Sequence, residues 1–416
     1  MPNFSIPLSG LTADATALSA IANNLANQNT TGYKDVGVQF SDLFYENLGT
    51  SGAGDPIQVG AGTKIGSMPG NFTQGSVEAT GVPTDVAIQG NGFFAVLSDG
   101  VTSYTRAGDF SVDQNNFLLT SDGQQVLGYP AVDGVVDASA GVGPLQLGAG
   151  TVSPATATTA VEIQTNLNAS AAVGDTYSTP LTVYDSLGAS HILTFTFTNT
   201  GPNAWTYSLS LPTGDYTPAT GSTLPAGVVA TGTMAFDGNG NLITPAANVT
   251  GIAVPNLTDG ASDMSVTWDL FNGTTPVLTQ VAAPSSTTAT QQDGGSSGTL
   301  TDFSIGPDGT VTGSFTNGKT EALGQLVLAN FADDEGLQRV GSNNYAETLA
   351  SGQAVIGAAG TGGRGTLAGG ALELSNVDIA TEFANLIVAQ RAFEANAKAV
   401  TTFDQITQDT INLKQS

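Results

Sequence analysis

Helical heptad patterns stand at the two ends of this chain and nowhere between them. Near the start, apolar residues recur at alternating steps of four and three, the spacing of a coiled-coil seam: Leu11, Ala15, Leu18, Ala22 and Leu25. After a capping signal at Ser375–Asp378, the same steps recur at Ile379, Phe383, Leu386, Gln390, Phe393, Ala397, Val400, Asp404, Thr407 and Ile411. A lone helix of about 20 residues is marginal in water. The fold must therefore bring the two ends of the chain together.

The long middle of the chain predicts antiparallel β-structure. Residues 191–198 and 311–316 alternate apolar and polar side chains, as half-buried strands do. Dipeptides suited to tight hairpin turns recur between such runs: Asn91-Gly92, Asp99-Gly100, Asp122-Gly123, Asp133-Gly134, Asn272-Gly273, Asp308-Gly309 and Asn317-Gly318. We therefore expect β domains between the two terminal helices.

Two stretches rich in small and polar residues, about 140–160 and 284–298, are typical of linkers. They predict one β domain inserted into another, on a coiled-coil stem formed by the N- and C-termini. The fold class is thus mostly β with paired terminal α-helices. The predicted parts are a terminal helical domain (1–33 and 372–416), a connector (34–75), an inner β domain (76–150 and 298–371) and an inserted outer β domain (151–297).

The charge distribution excludes several partners. The chain has nine Lys and Arg residues against 35 Asp and Glu, and no Lys or Arg lies between Arg106 and Lys319. Such a surface repels nucleic acid, so we expect no nucleic-acid partner. Because the first cation is Lys34 and no apolar run approaches about 18 residues, we also expect neither a cleaved signal peptide nor membrane insertion. The absence of cysteine excludes disulfides and thiol catalysis.

Candidate catalytic and ligand sites are few. His191, the one histidine, lies in an alternating segment and is expected at an exposed or half-buried strand position. Residues 237–241 begin like a calcium loop but lack its glycine and its final glutamate, so a β-turn is expected. Residues 360–365 match a dinucleotide fingerprint without the helix that should follow, and 333–335 are expected to form a solvated acidic turn. The sequence therefore predicts no enzyme, no cofactor and no metal site, and an assembly or binding role.

The terminal motifs resemble the signatures shared by the bacterial flagellar rod and hook proteins. At the start they comprise Ser9–Leu11, Ile21–Asn27 and Asn29–Lys34, and at the end Leu372–Asp378 and Ala389–Phe393. The individual signature residues are Asn23, Asn24, Asn27, Gly32, Tyr33, Ser375, Asn376, Asp378, Gln390 and Arg391. Both signatures lie at the expected opposite ends of the chain.

Within that family, the chain is more similar to the hook branch than to the distal-rod branch. The sequences of residues 383–387, 391–393, 307–313 and 323–331 resemble those of hook proteins. Rod proteins are also usually shorter than this chain. The alternatives are a distal-rod or other hook-like axial protein and, from a different class, an acidic β-rich extracellular adhesin.

The resemblance implies a structural subunit that polymerises with itself into a curved, flexible tube. That tube is the extracellular hook of the bacterial flagellum, a universal joint that transmits torque from the motor to the filament. The implied partners are the distal rod, the hook cap, the hook–filament junction protein and the flagellar type III export apparatus, which exports the subunit without a cleaved signal peptide.

Two groups of residues acquire roles through this resemblance. The helical seams become the candidate assembly interface, with four apolar residues outside them facing neighbouring copies: Ile21, Ile387, Val388 and Phe403. Phe40 and Phe44 fit the family's aromatic motif for recognition by the export gate, although two aromatic residues at this spacing also fit an ordinary buried turn.

Overall fold

The computed structural model of the chain describes residues 5–51, 55–147, 152–218 and 221–415. Within them, a long α-helix lies at each end, α1 at Ser5–Ala26 and α2 at Ile379–Gln415. Strands form most of the regular structure between the helices, with short 3-10 turns at Ala138–Ala140 and Asp334–Gly336. The predicted fold class, mostly β with paired terminal helices, is confirmed.

The chain folds into two compact units. Unit 1 comprises the described residues of 1–149, 303–313 and 321–416, and unit 2 those of 150–302 and 314–320. Unit 2 is thus inserted in sequence within unit 1. The predicted domain bounds stay predictions, and the boundary between 150 and 151 lies outside the described residues.

Unit 1 contains short strands around two groups of buried apolar side chains. One group includes Val86, Phe94 and Leu326, and the other includes Phe93, Val327 and Tyr345. Successive residues of a strand point to opposite faces, so Phe93 and Phe94 reach different cores. The strands are Gln39–Asp42, Glu46–Thr50, Pro56–Val59, Thr63–Ser67, Val77–Ala79, Val86–Gln89, Phe93–Ser98, Val101–Thr105, Ser111–Val112, Leu118–Leu119, Gln125–Val132, Val135–Val136, Gly143–Pro144, Gln338–Gly341, Asn344–Ala346, Val355–Ala358, Thr366–Gly369 and Ala371–Glu373.

Antiparallel pairing links distant parts of the sequence within unit 1. Val86–Gln89 pairs with Thr366–Gly369, and Val77–Ala79 pairs with Ala371–Glu373. The second pairing places the strand that precedes α2 beside Val77–Ala79. Three further strands have residues in both units: Gly298–Ile305, Thr310–Phe315 and Thr320–Asn330.

Unit 2 is a sandwich of two five-stranded sheets around one core. The indole of Trp268 lies in that core, in contact with the rings of Phe195 and Tyr207 from the other sheet. The first sheet contains Ala160–Asn168, Val249–Val254, Met264–Asp269, Leu278–Val281 and Ser286–Gln292. The second contains Thr176–Tyr184, Ser190–Gly201, Ala204–Ser210, Val228–Phe236 and Leu242–Thr244. Three shorter strands of the unit are Val152–Ser153, Phe271–Asn272 and Thr275–Pro276.

Two local expectations differ from the structure. Ser286–Gln292 lies in a stretch predicted to be linker, yet it is a strand paired antiparallel with Ala160–Asn168. That central strand also pairs parallel with Met264–Asp269 and Leu278–Val281, so the architecture is not purely antiparallel. Composition misled in the first case because Ser and Thr also suit a half-exposed strand.

The type I′ turn chemistry is confirmed at two of the seven predicted dipeptides, and the other five have a positive φ at the glycine alone. Asp99 and Gly100 have φ values of 50° and 80°, and Asp133 and Gly134 have 51° and 74°. Positive φ at both central residues is the requirement of a type I′ turn, which Asp-Gly satisfies at little cost.

Candidate assembly site

The two terminal helices pack against each other in antiparallel orientation. The carboxyl of Glu382, near the start of α2, faces the amide of Asn24, near the end of α1. The Asn396 side-chain amide donates to Asp14 Oδ2 at 2.8 Å, and a Cβ added to Gly10 would lie 2.7 Å from the same amide. Small residues on α1 thus allow close approach of α2.

The buried stripe of α1 differs from its predicted seam. Among the described residues, the buried positions are Pro7, Ala13, Ala20 and Asn24. The predicted seam residues are more open: Leu11, Leu18 and Leu25 are half-buried, while Ala15 and Ala22 are exposed. The intramolecular contact therefore uses small residues, and the larger leucines flank it.

The less exposed stripe of α2 keeps the heptad spacing with a partly different register. It runs at alternating steps of four and three through Glu382, Leu386, Ala389, Phe393, Asn396, Val400, Phe403 and Thr407. Leu386, Phe393, Val400 and Thr407 belong to the predicted seam, and Ala397 beside it is also half-buried. Ile379 and Phe383 are instead exposed, as are Gln390, Asp404 and Ile411. Two positions of the stripe are occupied by the polar residues Glu382 and Asn396, which a search for apolar residues in the sequence cannot identify.

Large apolar side chains cover much of the solvent-facing surface of α2. Phe383 and Ile387 are each 52% exposed and Val388 is 68% exposed. Ile379, Ile406, Ile411 and Leu413 are also exposed. Ile379, Phe383 and Ile387 are spaced at four residues and therefore lie along one side of α2, and an exposed apolar group of this kind marks an interaction site.

A buried ionic network joins the segment after α1, the segment before α2 and the strand region around Arg106. Lys34 Nζ contacts Glu373 Oε1 at 2.6 Å, and Arg106 contacts Glu373 Oε2 at 3.3 Å. Lys34 also donates to the Thr73 carbonyl, and Arg106 donates to the Gly90 carbonyl. Burial lowers the pKa of the Lys34 amine below its ordinary value, although the hydrogen bond to Glu373 opposes that shift.

Several signature residues surround this network. Gly32 has φ +65° and donates its N–H to the Glu373 carbonyl. The Asn24 side chain accepts from the Val36 N–H and from the Tyr33 hydroxyl. The Asn376 side chain accepts from the Asp35 N–H. These residues fix the end of α1 to the segment that leads into α2.

The other signature residues lie on the helices and their ends. Asn27 donates to the Asn23 side chain at 3.0 Å near the end of α1. Asp378 accepts from the N–H groups of Ala380 and Thr381, and is therefore the N-cap of α2. Ser375, predicted to begin the capping signal, bonds instead to the Val377 N–H. Gln390 and Arg391 are exposed on α2.

The two candidate export-motif residues lie in the segment after α1. Phe40 is in the strand Gln39–Asp42, opposite Ile65, and is 49% exposed. Phe44 follows that strand and is 93% exposed, in a shallow groove with Leu43 and Lys64. The expectation of an ordinary buried turn is therefore wrong for these two rings.

The other sequence candidates form structured turns, apart from His191. Asp237 Oδ1 accepts from the N–H groups of Asn239 and Asn241, which closes the expected β-turn. Gly360 bonds to Gly365 across a tight loop, and Asp333 begins a 3-10 turn. His191, expected to be exposed or half-buried, is buried among carboxylates.

The sequence interpretation missed the partners of the buried network, namely Arg106, Arg339 and Glu373. Arg339 donates to the Lys34 carbonyl, and its guanidinium lies over the rings of Tyr33 and Tyr345. Three of the nine basic residues thus converge on this junction. The available sequence signal for these partners was the scarcity of Lys and Arg, because in a chain with so few basic residues each one is more often held by a specific partner.

In the described parts of the chain, neither helix carries an apolar stretch of the length that a bilayer crossing requires.

Four stretches of the chain match known protein families. They are described as flagella basal body rod protein (residues 6–34), flagellar hook protein FlgE/F/G D1 domain (87–171), flagellar basal body protein FlaE D2 domain (149–294) and flagellar basal body rod FlgEFG protein C-terminal (368–413).

Full-length relatives extend these matches. The flagellar hook protein FlgE of Escherichia coli is 37% identical, covering 99% of this chain and 100% of its own length, and that of Salmonella typhimurium gives the same values. The flagellar hook protein FlgE of Treponema pallidum is 34% identical over 98% of each chain. Because identity at this level extends over nearly the whole of each protein, this chain belongs to the flagellar hook protein FlgE family.

Proposed function

We propose that the chain is the structural subunit of the flagellar hook and polymerises through its terminal helices into a curved tube. In this role it joins the motor to the filament and transmits torque while the tube bends. The observation that carries the proposal is the exposed apolar surface of α2, centred on Phe383, Ile387 and Val388. No catalytic step is part of the proposed role.

The register of the helix pair supports an intermolecular use of that surface. Asn24 faces Glu382, and Gly10 lies beside Asn396, so the same antiparallel register places Ser5 opposite about residue 401. The last turns of α2 therefore extend beyond the described part of α1. Their apolar side chains, such as Ile406 and Ile411, are available to neighbouring subunits.

The energetics also favour assembly. Fully burying one Phe or Ile side chain contributes about 1.5–3 kcal/mol. The buried positions of α1, in contrast, are small or polar residues, which contribute little to the stability of an isolated helix pair. We infer that α1 and α2 are weakly protected in the free subunit and become strongly ordered in the polymer, which keeps free subunits soluble until they add to the tube.

The double substitution Phe383→Ala and Ile387→Ala tests this assignment. It should leave both β units folded but raise the critical concentration for tube formation by at least about ten-fold, because about 1.4 kcal/mol corresponds to that factor. Sedimentation and electron microscopy of the purified chain measure the effect. Ile243→Ala in unit 2 is the matched control, since Ile243 is 53% exposed and Ile387 52%.

Tubes at the wild-type critical concentration in the double variant would contradict the proposal. Hydrogen exchange gives a second test that needs no variant. Amides of α1 and α2 should exchange much faster than those of the β strands in the free subunit and should become protected in the tube. Equal, strong protection in the free subunit would overturn the coupling of helix order to assembly.

The finer partners are part of the same proposal. We infer that the subunit contacts the distal rod at one end of the tube, the hook–filament junction protein at the other and the hook cap during growth. We also infer that the type III export apparatus recognises Phe40 and Phe44, because the Phe44 ring is 93% exposed and contributes little to the core. Phe44→Ala should reduce secretion from cells while purified protein still polymerises, and unchanged secretion would contradict the motif.

A further inference from the structure

The one histidine of the chain lies in a cluster of carboxylates in unit 2. His191 belongs to the strand Ser190–Gly201, and its buried ring faces three aspartates from different connections between strands. Nε2 lies 3.0 Å from Asp185 Oδ2 and 3.8 Å from Asp259 Oδ2. Nδ1 lies 3.1 Å from Asp215 Oδ2. Both ring nitrogens therefore face oxygen atoms.

The backbone fixes the orientation of two of these carboxylates. Asp185 Oδ1 accepts from the N–H groups of Leu187 and Ala189, and Asp259 Oδ1 accepts from the N–H of Ala261. In each case the other oxygen, Oδ2, is left pointing at the imidazole. Local turns thus hold both ligand oxygens beside the imidazole.

Hydrogen bonds also hold the three connections against one another. Thr258 donates its N–H to the Asp215 carbonyl, and Thr217 donates to the Asn256 carbonyl. The N–H of Ser262 donates to the Ser186 hydroxyl. Asp185 and Asp215 lie in connections of the second sheet and Asp259 in a connection of the first, so the cluster contains residues from both sheets of unit 2.

We propose that Asp185, His191 and Asp259 form a zinc site, with Asp215 orienting the imidazole from behind and water completing the coordination. The three ligand atoms all lie within 4.8 Å of one another. Bonds to zinc of about 2.0–2.1 Å in a tetrahedron place the ligand atoms about 3.4 Å apart. The distances of 3.0 and 3.8 Å from Nε2 to the two carboxylates lie on either side of that value.

The chemistry of the donors selects zinc over the alkaline-earth ions. Calcium takes six to eight oxygen ligands, whereas an imidazole nitrogen with two carboxylates suits zinc. Metal-binding histidines commonly donate their other N–H to a carboxylate, which fixes the tautomer. Asp215 occupies that position here, at 3.1 Å from Nδ1.

Charge balance favours a dication at this position. Three carboxylates surround one imidazole, so even a protonated His191 leaves the cluster negative. Zinc binding would replace the proton on Nε2 by the metal and release that proton to solvent, while the Nδ1 proton stays on the imidazole and is donated to Asp215.

Titration of the unpolymerised, full-length chain with Zn²⁺ tests the site. After removal of metals by chelation, calorimetry should show one zinc per chain, while Mg²⁺ and Ca²⁺ at the same concentration give no binding at this site. Imidazole-detected NMR is unambiguous because the chain has one histidine. Zinc should shift the Nε2 resonance to that of a metal-bound nitrogen and leave the Nδ1 proton in place.

Asp259→Asn and Asp263→Asn form a matched pair of variants. Both remove one negative charge from the same connection, but Asp263 bonds to the Asn256 N–H and does not face the ring. Asp259→Asn should weaken zinc binding at least ten-fold, and Asp263→Asn should leave it unchanged. The proposal would be overturned by an imidazole spectrum of the wild-type chain that zinc leaves unchanged, or by equal zinc affinity of the two variants. The first of these results does not depend on the folding of any variant.

Discussion

Gly32 shows how a single residue can be predicted from sequence and then explained by contacts. The sequence indicates a left-handed position after α1, and the structure gives φ +65°. A Cβ at this position would lie 2.6 Å from the carbonyl oxygen of Arg106, which belongs to the buried ionic network. Conformation and space therefore both require glycine here.

Gly32→Ala should destabilise unit 1 by about 1–3 kcal/mol, because the new side chain is both strained and obstructed by backbone. The matched control is Gly37→Ala, since Gly37 has no positive φ and a Cβ added there meets nothing within 4 Å. The control should change the free energy of unfolding by less than about 0.5 kcal/mol. Chemical denaturation of the full chain measures both, and equal stability of the two variants would contradict the packing argument.

Side-chain partners far apart in sequence were beyond prediction. Lys34 belongs to a signature, but nothing in its neighbourhood indicates that Glu373, 339 residues away, is its partner. The alternating pattern predicts the strand of His191 but not its environment, because Asp215 comes from a later connection of the same sheet and Asp259 from a connection of the other sheet. Local pattern predicts conformation, whereas such contacts depend on the whole fold.

At the scale of elements, α2 shows the same difference between local conformation, which the sequence predicts, and long-range contacts, which it does not. The sequence predicts a helix after Ser375–Asp378 and a heptad stripe along it, and the structure contains both. The capping residue is Asp378, and the contact stripe passes through Glu382 and Asn396, which a search for apolar residues omits. Existence and period of a helix follow from pattern, but its register depends on the partner helix.

The assignment of the cap makes a separable prediction. Asp378→Ala should destabilise the first turn of α2 by about 1 kcal/mol, within a usual range of about 0.5–2 kcal/mol, since two N–H groups lose their acceptor. Hydrogen exchange of residues 379–390 in the full chain should accelerate about five-fold. Ser375→Ala serves as the comparison and should have a smaller effect, because Ser375 bonds only to the Val377 N–H. A larger effect at Ser375 would restore the cap first predicted from sequence.

At the scale of the whole molecule, the nested chain order separates two tasks. The terminal helices and the exposed surface of α2 belong to unit 1. Between residues 151 and 302 the sequence has ten acidic residues and no Lys or Arg. Copies of unit 2 therefore repel one another weakly and have no cations in that stretch with which to form ion pairs. We infer that unit 1 holds the polymer together, whereas unit 2 adjusts how neighbouring subunits shift as the tube bends.

Removal of most of unit 2 tests this division. Ser153 lies opposite Gly298 in an antiparallel pair, so residues 154–297 can be replaced by a two-residue Asn-Gly turn. The shortened chain should still form tubes, since α1, α2 and both cores of unit 1 are retained. Its tubes should differ in curvature from those of the intact chain, because the contacts that vary during bending are gone.

Electron microscopy of tubes from the two chains, assembled in the same buffer, measures both properties. Circular dichroism of the shortened chain is the control for folding, since a chain without β-structure cannot report on assembly. Failure of a folded, shortened chain to form tubes would show that unit 2 is needed to hold the polymer together. Tubes of unchanged curvature would show that bending is governed by unit 1 alone. Either result would remove the separation of tasks inferred from the charge distribution and from the exposed face of α2.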